Sequence, residues 1–311
     1  MNSKEDAYAA ALKLLENKDT EMEGVTALKN AAEEGDTRAM CEYGLLFNTP
    51  GAPVTQNPNE AFQWYLKSAE YGDDRGQFYV GLSYYEGKIV EQDHASALKW
   101  FTLSAEKGYA IAQHYLGHMY YHGNGVPQDE REAIRWFKLS VDRECNEARV
   151  ALGDIYSNPK NKEVNYDLAF KLYSSAMAAK YPIAYYKVGM MHYQGDGRPP
   201  NYITASKCFR EGAELESMEC YYMLGMMYYQ GRGVEKDTSR AYRYLNLADQ
   251  RGYQEATEFL AKIDSTRKKK TWGTNNDPIR NTRLRTPDLL SFPEDDSAPK
   301  KGGLFGLFKR K

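Results

Sequence analysis

A glycine that returns every 36 residues constrains this chain more than any other feature. Gly44, Gly81, Gly117, Gly153, Gly189 and Gly225 share one column, with a single one-residue slip between the first two. Alanine follows the same period at Ala61, Ala97, Ala133, Ala169, Ala205 and Ala241. A further column three residues later holds Trp64, Trp100, Trp136, Leu172, Cys208 and Tyr244. A period in this range implies stacked supersecondary units, each unable to bury its apolar face alone. It also removes the usual inference from 311 residues to two globular domains.

Within a unit, Ala112, Leu116 and Tyr120 are spaced by four and share one face of a first helix. Gly117 lies beside that face, where the missing side chain lets another helix approach. Glycine pairs such as Gly123 and Gly125, or Gly231 and Gly233, are suited to positive φ and end the helix in a short turn. The second helix opens at a column that is Asn or Asp in every unit: Asn57, Asp93, Asp129, Asn165, Asn201 and Asp237. Such side chains accept from the unpaired amides of the first helical turn, worth roughly 1 kcal/mol each. Pro58 suits the next position, and Glu60 and Glu132 read as the partners of a capping box. The fourth unit replaces the glycine turn with SNPKNKEV and keeps its cap.

The expected fold is therefore all-α: a right-handed superhelical solenoid of helix-turn-helix repeats, with about six full repeats between terminal caps. Residues 1–35 read as a degenerate first repeat, 36–252 as the six repeats and 253–264 as a capping helix. Residues 265–299 read as a flexible linker and 300–311 as a basic, apolar tail. Trp136 is read as a core residue, so that Trp136→Ala is expected to cost about 3 to 5 kcal/mol.

The pattern A-x-x-x-L-G-x-x-Y-x-x-G-x-G-V-x-x-D-x-x-x-A-x-x-W-[YF]-x-x-[AS]-A-E-x-G resembles the Sel-one-like repeat family of tetratricopeptide-like α-solenoids. Ala112, Leu116, Gly117, Tyr120, Gly123, Gly125, Val126, Asp129, Ala133, Trp136 and Phe137 carry the likeness in one unit. Ala97, Trp100, Phe101, Ala105, Glu106 and Gly108 carry it in the unit before, and the match spans about residues 36–264. The resemblance implies a non-enzymatic scaffold or adaptor that binds a protein or peptide on a concave face. Some secreted relatives, stapled by a cysteine pair in each repeat, are linked to β-lactam binding or hydrolysis. Cys41, Cys145, Cys208 and Cys220 form no such pairs, nor any CxxC, and are read as reduced thiols.

Counting 100° per residue, the positions three before and one after the marker glycine fall opposite the core face. They are read as the lining of the groove: Phe78, Leu82, His114, His118, Tyr186, Met190, Tyr222 and Met226 are the candidate partner-binding residues. That strip is too apolar for a solvated face, and aromatic and Met side chains are enriched at interfaces. The bland alternative is that loops or neighbouring side chains cover it. His114, His118 and His122 share the same side at i, i+4 and i+8, so two imidazoles could hold one metal ion. HYLGH lacks the glutamate of HExxH, Tyr115 standing in its place, and polar groove residues are the bland reading. The competing function is a metal-dependent or β-lactam-processing hydrolase; no catalytic residue set and no cofactor is expected. His192 occupies the Tyr column and reads as a core histidine, and Cys208 and Cys220 as buried structural cysteines.

The formal net charge is −2, from 41 basic and 43 acidic residues. Residues 267–311 hold 12 basic and five acidic residues, a charge of +7, which leaves −9 on the remainder. That body would repel a phosphate backbone, so no nucleic-acid partner is expected. In the tail, Leu304, Phe305, Leu307 and Phe308, flanked by Lys309 and Arg310, are read as a docking element for a partner's groove or an anionic membrane surface. No apolar run reaches signal-peptide or membrane-spanning length, and the expected location is the cytoplasm, with peripheral membrane contact through the tail.

Overall fold

A computed structural model of the chain describes residues 2–161 and 164–272. Its contacts divide the chain into two units, Met1–Leu152 and Gly153–Lys311. Every regular element among the described residues is an α-helix. The first unit holds α1 (Asn2–Leu15), α2 (Glu21–Glu33), α3 (Thr37–Asn48), α4 (Pro58–Glu70), α5 (Asp74–Glu86), α6 (His94–Glu106), α7 (Ala110–His122) and α8 (Glu130–Asp142). The boundary falls inside α9 (Asn146–Ser157). The second unit continues with α10 (Tyr166–Ala178), α11 (Pro182–Gln194), α12 (Tyr202–Glu214), α13 (Met218–Gln230), α14 (Thr238–Gln250) and α15 (Gln254–Trp272). Within each unit, helices pack on their neighbours in chain order, which is the expected array of helical hairpins. The last helix runs eight residues past Asp264, because nothing breaks a helix there before Gly273 even though the apolar pattern has ended.

The Asn/Asp column caps all six second helices. Asn57 accepts from the amide of Glu60, Asp93 from Ala95 and Ser96, and Asp129 from Arg131 and Glu132. Asn165, Asn201 and Asp237 accept from Leu168, Thr204 and Arg240. The reciprocal half of a capping box is absent at the expected sites. Each cap's own N–H is already taken by a carbonyl at the end of the preceding helix: Asp129 donates to Tyr120 at 2.8 Å, and Asn201 to His192 at 2.7 Å. Glu60 instead accepts from the Asn57 side chain, and Glu132 pairs with Arg135. One residue thus starts a helix and closes the hairpin behind it.

The marker glycines are contact points. A Cβ built on Gly117 would lie 2.7 Å from the Phe137 ring, and one on Gly189 would overlap the Phe209 ring. Tyr65, Phe101, Tyr173 and Leu245 meet Gly44, Gly81, Gly153 and Gly225 in the same way. These six partners stand eight residues after each cap and are at most 2% exposed. The core residue of the second helix is therefore Phe137, and Trp136 is a correction: Trp64, Trp100 and Trp136 are only partly buried. One residue turns the helix by about 100°, enough to carry the indole from the core to its margin, where Arg135 lies 4.8 Å from its ring.

The turn between helices bears out the glycine reading. Gly123 and Gly125 both have φ of 74°, and Gly231 and Gly233 have 72° and 67°. The second of each pair also admits a neighbouring backbone: a Cβ on Gly233 would lie within van der Waals overlap of the Tyr202 carbonyl that opens α12. At the far end of the second helix, Gly35, Gly72, Gly108 and Gly252 take left-handed angles, but Glu144, Lys180 and Glu216 must do the same with a side chain, at φ of 62°, 56° and 62°. Left-handed backbone costs a non-glycine residue roughly 1 to 2 kcal/mol, offset in part by the entropy of glycine in the unfolded chain. Lys180→Gly is accordingly expected to raise the urea midpoint, by roughly 0.5 to 1 kcal/mol in stability. An unchanged or lowered midpoint would show that the strain is relieved elsewhere.

Candidate protein-binding face

The first helix of each repeat turns Ala and Leu toward the second helices, as Ala112 and Leu116 do at no more than 1% exposure. The opposite side carries the two groove columns. In the first unit these divide sharply. Phe78 is only 4% exposed, enclosed by the rings of Tyr79, Phe101, Tyr109 and Tyr115 at 5.2 to 5.7 Å. It belongs to the core and offers a partner nothing, a correction to its place in the groove. Leu82 packs, partly buried, against the same cluster.

His114 is partly buried and sits between the rings of Tyr115 and Phe137. Its Nδ1 is buried without a hydrogen-bond partner among the described residues. Burial pushes its pKa down to about 4, against the opposing pull of the Glu147 carboxylate. His118 Nδ1 shares a hydrogen bond of 3.2 Å with the Tyr85 hydroxyl, to which Asn124 also donates. The His118 and His122 rings are 4.2 Å apart. Among the described residues, no three His, Cys, Asp or Glu side chains converge as a metal site.

In the second unit the strip begins with charge. Asp154 accepts from the Tyr173 hydroxyl at 2.5 Å and pairs with the Lys187 ammonium at 2.7 Å. Tyr173 reaches it by crossing the flat surface left by Gly153. Beyond this pair, α11 and α13 contact each other and carry Tyr186, Met190, Tyr222 and Met226, all partly buried. Tyr186 lies 6.3 Å from the Phe209 ring. Tyr222 meets Tyr253 at 5.2 Å and Phe259 at 6.5 Å, and Tyr229 meets Phe259 at 5.4 Å. The capping helix therefore walls the strip through Phe259. Burial first, then the nearby Tyr186 phenol and the Glu255 and Glu219 carboxylates, push the Tyr253 phenol up to about 12. Glu255 and Glu258 are exposed around this cluster, and Glu219 is partly exposed.

Phe259 escaped the column reading because it belongs to the atypical end of the array, whereas Tyr253 shares a column with Tyr109 and Tyr181. His192 is partly buried, its ring edge-on to Phe170 at 5.7 Å. All four cysteines are buried free thiols, as expected for Cys208 and Cys220. Burial raises these two thiols, to about 11 and about 12. The tail residues Leu304, Phe305, Leu307, Phe308, Lys309 and Arg310 lie outside the described residues.

The Sel1 repeat model matches residues 37–73, 74–109, 110–144, 146–180, 182–217 and 219–253. The chain belongs to the Sel1 repeat family. Members of this family generally act as protein-interaction scaffolds rather than catalysts. Among solved structures, the chain is similar to a protective antigen of uropathogenic Escherichia coli strains with an SLR fold, at 25% identity and a TM-score of 0.65. That match covers 84% of this chain, which spans only 56% of the antigen's chain. A Sel1 repeat protein from Oxalobacter formigenes matches 78% of this chain and 96% of its own, at 24% identity and a TM-score of 0.69. No curated protein matches the sequence. No described helix is long and apolar enough to cross a membrane.

Proposed function

We propose that this Sel1 repeat protein is a non-enzymatic adaptor that binds a basic, apolar peptide segment of a partner protein on the first-helix face of its second unit. One observation carries the reading: Tyr186, Met190, Tyr222 and Met226 stand side by side on α11 and α13, partly exposed, although the core is already sealed without them. Ala184, Val188 and Met191 fill it from α11, and Cys220, Leu224 and Met227 from α13, each at most 2% exposed. Aromatic and Met side chains of this kind supply interface anchors. The surrounding Glu219, Glu255 and Glu258 favour a segment bearing Lys or Arg, whose cation gains further from the tyrosine faces. Work in the cytoplasm suits the free thiols, and the tail at Leu304 to Arg310 supplies a second contact, with the partner assembly or an anionic membrane surface.

The test is capture of partners by the full chain, by Tyr186→Ala with Tyr222→Ala, and by a chain ending at Asp264, followed by affinity measurement with the purified partner. The groove substitutions are expected to weaken binding at least tenfold with little change in melting temperature, and removal of the tail to weaken it less. An affinity unchanged by the groove substitutions would move the binding site off this face.

A further inference from the structure

The second unit carries another depression, built from its second helices and of opposite charge. Two adjoining cavities of about 490 and 440 Å³ share Arg210, Tyr228 and Arg240. They lie between α12 and α14 and under the turn that joins α13 to α14. Lys207 and Lys236 line the first, and Arg243 and Tyr244 the second. Five cations thus face two carboxylates, Glu235 and Asp237. Asp237 is committed to capping α14 and to the Arg240 guanidinium at 3.3 Å. Among the described residues, Lys207, Arg210 and Arg243 make no ion pair.

The floor is aromatic and ordered. Tyr228 and Tyr244 stack at 5.7 Å with their planes 4° apart, and the Arg240 guanidinium lies 5.6 Å from the Tyr228 ring. Stacking of this kind holds a guanidinium in a defined plane, which suits its paired N–H groups to an oxyanion.

The repeat itself does not require Arg210, Lys236 or Arg240, whereas Lys207 and Arg243 stand in a column that is also cationic at Lys99, Arg135 and Lys171. The position of Arg240 holds Glu60, Ser96, Glu132, Leu168 and Thr204 in the other repeats, and that of Lys236 holds Gln56, Gln92, Gln128, Val164 and Pro200. The position of Arg210 is cationic elsewhere only at Lys138 among the full repeats. Arg240 also sits in the first turn of a helix, where the macrodipole disfavours positive charge. The last repeat accepts that penalty where its siblings place acidic or neutral residues. The same repeat has lost the tryptophan of the column, and Tyr244, which replaces it, is part of the floor.

We propose that this basic groove between α12 and α14 binds a phosphoryl group, with Arg210, Arg240 and Arg243 as its ligands. The site is distinct from the acidic, aromatic face of α11 and α13 and does not depend on it.

The experiment is calorimetric titration of the full chain with inorganic phosphate and with a glycine-flanked phosphoserine tripeptide. It compares the parent chain, Arg210→Gln with Arg243→Gln, and the control Lys171→Gln, which changes an exposed cation of the fourth repeat. Both altered side chains of the double variant are exposed, and an unchanged far-UV spectrum and melting temperature confirm that the fold is kept. Saturable binding that weakens at least tenfold in the double variant and not in the control supports the site. A tripeptide that binds more tightly than phosphate identifies a phosphorylated protein segment as the source, and the reverse order identifies the free anion. Absence of saturable binding to the parent chain by either probe, or equal binding by parent and double variant, overturns the proposal.

Discussion

Phe137→Ala is expected to destabilise the first unit by about 3 to 5 kcal/mol, measured as the shift of a urea or thermal unfolding midpoint. The ring is 2% exposed and lies against the bare face of Gly117, so its removal leaves a cavity between two helices that their close approach cannot readily fill. Trp136→Ala is expected to cost less, despite the larger side chain. The indole is only partly buried, and part of what it loses is a cation–π contact with Arg135 at the margin. The order of the two effects carries more information than either size. A larger loss for Trp136 would mean that the core is centred on the tryptophan column and that the glycine contacts are incidental.

The second large effect is loss of stability in acid through His114. Its folded pKa is held down at about 4, whereas an unfolded histidine titrates near 6.5. As pH falls, the unfolded chain therefore takes up this proton first. The contribution of the neutral imidazole is fully present above about pH 6.5 and is lost progressively down to about pH 4, at most about 3 kcal/mol in all. Glu147 opposes the shift, and His118, whose own pKa burial lowers, adds to it. Urea unfolding of the parent and His114→Gln at pH 7 and pH 4.5 checks this: the variant should lose distinctly less stability between the two conditions. Equal losses would assign the acid sensitivity to other groups.

The hairpins could be read from residues because their determinants are local and repeat. An Asn or Asp cap, a positive-φ glycine and an Ala–Leu stripe each act within one or two turns, and six copies expose them as columns. The core aromatic was harder, because tryptophan draws attention by size. The distinguishing fact was present: the neighbouring column keeps a large apolar side chain in all six repeats, from Tyr65 to Leu245, while the tryptophan column gives way to Leu172 and Cys208. Phe78 went astray for a different reason. Its angle on the helix points to the groove, but Tyr79, Tyr109 and Tyr115 are long enough to close over it, and no periodicity encodes the reach of three neighbours. The wall added by Phe259 and the guanidinium of Arg240 lie off the repeat's pattern, whereas Tyr253 and Arg243 share columns with Tyr109 and Lys99. The proposed sites lie where the copies differ, and those differences acquire meaning only when α12, α14 and α15 are seen beside α13.

The decisive measurement is site-specific photo-crosslinking of the captured partner, with a benzoylphenylalanine placed at Met226 on the first-helix face or at Leu139, which is 39% exposed on a second helix. A covalent adduct from Met226 and none from Leu139 is the expected result. An adduct from Leu139 alone, with none from Met226, would place the partner away from the first-helix strip and contradict the proposed binding face.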